Sequence, residues 1–172
     1  MNPITSGRRH FEDLAVGEVL VLASVTVTRE MIISFAREFD PLPFHLDEEA
    51  AKASLLGGLA ASGWQTAALS LRLLNDAFLG HVASAGGLGF SDLKWRRPVL
   101  AGDTIGGTAT IVALRLSQSH PEWGIAEIDF DISNHKGERA MTMRLANLIE
   151  RREVLMTQPQ QPYDTEHGSG RA

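Results

Sequence analysis

Residues 64–79 carry more apolar surface than one helix face can hide, and four long strand-like segments follow them. Trp64, Ala67, Ala68, Leu71, Leu74, Ala77 and Phe78 recur at intervals of three and four, the period of a helix. Leu69, Leu73 and Leu79 widen the stripe. At the rise of an α-helix the segment spans roughly 24 Å. Its breadth predicts burial on more than one side, and Gly80 is the expected stop. Residues 89–95, 104–116, 124–133 and 140–151 read as strands. Ala126 to Ile132 alternates apolar with acidic side chains, the signature of a strand with one wet face. Turns at 101–103 and 134–137 separate these segments and favour antiparallel pairing. An α+β domain follows, with one long helix packed on a curved antiparallel sheet.

The chain before that helix is shorter in its elements. Val and Leu dominate residues 18–26, a first strand. Thr28 stands at an N-cap position before Met31, Ile32, Phe35 and Ala36 at helical spacing. That helix ends near Phe39, because Asp40 precedes Pro41 and is biased away from the α region. Residues 47–53 form a second short helix with acidic residues in its first turn, where the macrodipole favours them. Gly57 and Gly58 break it.

Between these helices lies the segment that carries chemistry. Asp40 and His45 flank a proline-stiffened turn, and Ser62-Gly63-Trp64 opens the long helix. A carboxylate and an imidazole can share one water and pass a proton between oxygen and carbon. The Gly63 amide at the helix start is placed to receive a developing oxyanion. Each residue alone has a structural reading: Asp-Pro is a common turn, and Ser62 is a natural helix cap. Their joint occurrence favours an enzyme acting on a carbonyl compound.

A chain of 172 residues fits one domain with a real core. Residues 10–154 are read as that domain. Residues 1–9 are read as a flexible start and 155–172 as a disordered tail poor in apolar groups. The net charge of −5, without a Lys/Arg run longer than two, speaks against nucleic acid as a partner. No cysteine is present, which excludes disulfides, thiolate nucleophiles and Cys-ligated zinc. No apolar stretch approaches the roughly 18 residues of a membrane span, and a cytoplasmic location is the default expectation. His81, His120, His135 and His167 lack metal-ligand spacing, so no metal is assigned. Lys94, Arg96 and Arg97 form a compact basic group that fits a cofactor phosphate or, more simply, a solvated strand end.

Asp40, Pro43 and His45 fall on the Asp, Pro and His of a motif Asp-x-Asn-Pro-Leu-His, with Phe44 at the apolar position. Arg97-Pro98-Val99, with Gly102-Asp103-Thr104, is similar to a Pro-Val-x-x-Gly-Asp turn between sheet strands. In these features, over roughly residues 11–150, the chain resembles the MaoC-like dehydratase and (R)-specific enoyl-CoA hydratase family. The resemblance implies a hotdog fold and hydration or dehydration of a 2-enoyl thioester carried on CoA or acyl carrier protein. It implies no further cofactor, Asp40 and His45 as the acid/base pair, and Ser62, Gly63 and Trp64 around the substrate. It also implies a homodimer or larger assembly of dimers. Leu42 stands where the motif has Asn, and Phe39 where a glycine often precedes the Asp. Leucine cannot hydrogen-bond, which keeps two alternatives open. One is a hotdog thioesterase, although the long helix holds only Asp76 near its far end. The other is a non-catalytic acyl-binding subunit.

Overall fold

The computed structural model describes residues 7–152. The chain runs from strand β1 (Val19–Thr26) through three helices, α1 (Arg29–Phe39), α2 (Pro43–Leu46) and α3 (Glu48–Lys52), to the long helix α4 (Gly63–Ala77). Four strands follow: β2 (Ser84–Trp95), β3 (Thr104–Leu116), β4 (Trp123–Asn134) and β5 (Arg139–Glu150). All pairings are antiparallel, and the sheet order is β1-β3-β4-β5-β2. This is the hotdog fold expected from the sequence: an α+β arrangement of a five-stranded sheet and a central helix.

The alternation in β4 decides which sheet face is dry. Ile128, Phe130 and Ile132 are buried, while Asp129 and Asp131 stand on the other face. There they pair with Arg144 and Arg139 of β5. The dry face carries Ile105, Ile111, Met141 and Ile149 as well, and Leu73, Leu74 and Phe78 of the α4 segment join that core.

Three local readings change in the structure. First, α4 buries one face only. Its inner face holds Gln65, Thr66 and Ser70 beside Leu73 and Leu74, whereas Trp64 and Leu71 stay 52% and 42% exposed. Two of the polar side chains bond locally, Thr66 Oγ1 donating to the Ser62 carbonyl and Ser70 Oγ to that of Thr66, while Gln65 Nε2 donates to the Met31 carbonyl of α1 at 2.8 Å. The helix closes at Ala77, with Phe78 as its C-cap, and Gly80 lies in the 3₁₀ turn Leu79–His81.

Second, β2 begins at Ser84 rather than near residue 89. Residues 85–89 include three glycines and have little strand propensity of their own. They are strand because β5 supplies an edge to pair with, through two register shifts, between Ser84 and Gly86 and between Gly87 and Gly89. Third, the turn after Asp40 is partly helical: Pro43 opens the four-residue α2 with its φ already set, so His45 sits on a helical turn and not on an open loop.

The expected cap holds, with Thr28 Oγ1 accepting from Met31 N at 3.2 Å. Asp47 caps α3 in the same way, accepting from Ala50 N at 2.8 Å. Arg9, read as part of a loose start, is tied down at both ends of its peptide. Its N–H donates to the His81 carbonyl at 3.1 Å, and its own carbonyl accepts from Ala83 N at 2.8 Å. The tail expected from residue 155 lies outside the described residues. Among those residues no helix is long and apolar enough to cross a membrane.

Candidate active site

Four chain segments converge at the N-terminus of α4. Asp40 is the C-cap of α1, where Pro41 stops the helix and leaves the carboxylate beside the next turn. His45 is buried on α2, at 6% exposure. Its Nδ1 lies 2.7 Å from the Ala60 carbonyl oxygen. A carbonyl can only accept, so Nδ1 carries a proton, and in the neutral form of the ring Nε2 is then the nitrogen with the lone pair toward the site. Nε2 stands 3.6 Å from Asp40 Oδ2. The two groups named from the sequence are therefore brought together, close enough for one water to touch both.

Ser62 ties that pair to the helix. Its hydroxyl donates to Asp40 Oδ2 at 2.7 Å and accepts from Trp64 N at 3.2 Å. Ser62 is thus the helix cap read from the sequence, and it also holds the Asp40 carboxylate, a contact the sequence did not announce. With Trp64 N engaged, Gly63 N–H is the first free amide of α4, and no acceptor among the described residues takes it. A free donor at a helix start, aided by the macrodipole, suits an anion or a developing oxyanion.

These groups line a cleft of about 410 Å³. Phe44, Leu56, Ala61 and Val99 supply apolar walls, and Trp64 and Trp95 stand at its exposed side. The basic group is spread between two surfaces. Arg97 borders the cleft, Lys94 lines the charged sheet face with Asp129 and Thr142, and Arg96 borders both. Arg97 is held by Glu138 at 3.3 Å. Arg96 has no ion-pair partner among the described residues. Among those residues no group of three His, Asp or Glu side chains could hold a metal.

Two contributors escaped the sequence reading. The Ala60 carbonyl that fixes the His45 tautomer is backbone, and backbone leaves no residue-type signal. Trp95 lies against Gly63 across a separation of 32 residues. Nothing local in Lys94-Trp95-Arg96 announces that contact.

A profile for the MaoC like domain matches residues 12–122, well over half of the chain. The chain belongs to the MaoC-like domain family. The YdeM protein of Bacillus subtilis, itself uncharacterized, is 32% identical over 142 residues, covering 81% of this chain and 98% of that one. Among solved structures, a MaoC-like dehydratase from Rhodospirillum rubrum is 40% identical with a TM-score of 0.74. The match covers 84% of this MaoC-like chain and 99% of that protein. An (R)-hydratase from A. caviae, described as involved in PHA biosynthesis, is 25% identical with a TM-score of 0.63, covering 82% and 99%.

Proposed function

We propose that this MaoC-like protein is a hydro-lyase that adds water to, or removes it from, the 2,3 double bond of an enoyl thioester. The observation that carries the reading is the meeting of three groups at one cleft: the His45 Nε2 lone pair, the Asp40 carboxylate 3.6 Å away, and the free Gly63 amide. The (R)-hydratase of like fold supports the same chemistry.

In the hydration direction, a water sits between Asp40 and His45. Asp40, held by Ser62, accepts one hydrogen bond and orients the oxygen toward C3. His45 Nε2 takes the other proton as the C3–O bond forms, and the π electrons move onto the thioester carbonyl. The resulting enolate oxygen is received by Gly63 N–H, an arrangement whose loss in other enzymes costs about 10²–10³ in turnover. The imidazolium then returns its proton to C2, the enolate collapses, and a 3-hydroxyacyl thioester leaves. Dehydration runs the same steps backward. Arg96, which borders the cleft and the charged sheet face beside it, is placed to meet a phosphate of CoA or phosphopantetheine.

The assembly belongs to the same proposal. β2 is an unpaired edge whose Leu88 and Phe90 are 54% and 55% exposed, next to the bare outer side of α4. Edges of this kind are covered in native proteins, and a second copy with its β2 run antiparallel matches both strand and apolar stripe.

The deciding measurement is incubation with crotonyl-CoA and, separately, with acetyl-CoA. Loss of enoyl absorbance with the first and no thiol release with the second is expected. Thiol release without hydration would favour the thioesterase reading and sink this one.

A further inference from the structure

The pairing of β2 with β5 contains a bulge that the chemistry described so far does not use. Ser91 pairs with Arg144 and Lys94 with Thr142, so Asp92 and Leu93 together oppose the single residue Met143. Asp92 has a φ of 53°, the only left-handed non-glycine residue among those described. Such a bulge reverses which residues face which side of a sheet. The reversal is visible in the aromatic contacts. Phe90 and Trp95 are five residues apart, an odd number, and in a regular strand they would point to opposite faces. Both instead pack edge-on against Trp64 of α4, with ring centroids 6.1 Å and 5.5 Å away.

The bulge delivers Trp95 to one place. Its indole Nε1–H donates to the Gly63 carbonyl at 2.9 Å. Its ring lies so close to the Gly63 Cα that a Cβ at residue 63 would overlap it. Two bonds grip the Gly63–Trp64 peptide: Trp95 donates to its carbonyl, and Ser62 Oγ accepts from its N–H. The preceding Ser62–Gly63 peptide is held through its carbonyl, which accepts from Thr66 N at 3.0 Å. The N–H of that second peptide is the free donor of the cleft.

We propose that Trp95 is a positioning residue for the oxyanion site: aimed by the bulge at Asp92 and Leu93, it holds the first residue of α4 so that Gly63 N–H points into the cleft. This deepens the hydratase reading and rests on it for the identity of the oxyanion, a thioester enolate. It also gives a reason for glycine at residue 63, since any side chain there would unseat the indole. A Trp95 that only walled the cleft would affect how tightly a thioester binds. A Trp95 that aims the amide affects how well the enolate form is stabilised once bound.

Acetoacetyl-CoA separates these roles without requiring turnover, because its enolate absorbs in the near ultraviolet and its keto form does not. Titrated into the wild-type protein, it is expected to bind with an increased enolate fraction. Trp95→Phe keeps a ring against Gly63 and removes the N–H donor. It should lower the enolate-to-keto ratio of bound ligand about fivefold, the effect of losing one hydrogen bond, with Kd changed less than twofold. Trp95→Ala should lower the ratio further, and Trp95→Phe carries the test alone if that variant does not fold. A raised Kd with an unchanged ratio would make Trp95 a wall and overturn the proposal. So would a wild-type protein that shows no bound enolate. If the wild type holds the enolate yet leaves crotonyl-CoA unhydrated, the hydratase reading fails, and the ratio in Trp95→Phe still decides the role of Trp95.

Discussion

Asp40 Oδ2 stands 2.7 Å from the Ser62 hydroxyl and 3.6 Å from His45 Nε2, so one carboxylate oxygen joins the helix cap to the imidazole. The carboxylate cannot turn without losing the serine, and the serine cannot turn without releasing Trp64 N. Orientation of the reacting pair is therefore built into the start of α4.

Asp40→Asn and His45→Ala are each expected to lower crotonyl-CoA hydration by roughly 10²-fold or more, the scale of a lost acid/base group. The double variant should be little worse than either single one, since groups that act as a unit are not additive. Steady-state rates on a substrate the wild type turns over check this. Near-wild-type rates in both single variants would remove the pair from the mechanism.

Ser62→Ala should report on two properties at once. Loss of the cap costs about 1 kcal/mol, read by chemical denaturation. Loss of the bond to Asp40 frees the carboxylate and should lower kcat about tenfold with KM little changed. A stability loss with an unchanged kcat would leave Ser62 a cap alone.

Leu42 is the N-cap of α2, and its side chain makes no capping bond. Asparagine is among the best N-cap residues, which gives a physical meaning to the Asn of the family motif at this position. Leu42→Asn should raise stability by about 0.5–1 kcal/mol, because 45% of the leucine is exposed and little packing is lost. A stiffer α2 also holds His45 better, and hydration rates should rise. A thermal melt and the crotonyl-CoA assay test the two halves separately.

A homodimer is expected at micromolar concentration by light scattering, formed through β2 and the outer side of α4. Phe90→Asp places a charge on that face and should yield monomers that keep the native circular-dichroism spectrum. A wild-type monomer would contradict the assembly outright.

The Arg9 guanidinium, bonded to Glu18 at 2.6 and 2.7 Å, holds that carboxyl below the usual glutamate range. A carboxyl depressed by folding contributes stability at neutral pH that is lost as pH falls through its folded value. The pair is partly exposed, so its contribution is about 1 kcal/mol or less. Glu18→Gln should therefore be less stable than wild type at neutral pH, with the gap closing in acid. Denaturation at several pH values measures it, and a gap that widens in acid would reverse the sign.

Local physics explains what could be read early. The caps at Thr28 and Asp47, the stop at Asp40-Pro41 and the alternation along β4 are set by neighbours within a few residues, so sequence alone determined them. So did the presence of Asp40, His45 and Gly63 in motif order. Other features depend on partners distant in the chain. The strand character of the glycine-rich residues 85–89 comes from β5, and the exposed half of the α4 stripe was hidden by a periodicity that cannot say which face finds the sheet. The tautomer of His45 was decided by a backbone carbonyl at Ala60. The seat of Trp95 on Gly63 was decided by a bulge that exists only when β2 pairs with β5. Sequence names the side chains and their local backbone preferences; register, burial and the meeting of distant groups arise only when the whole chain closes on one core.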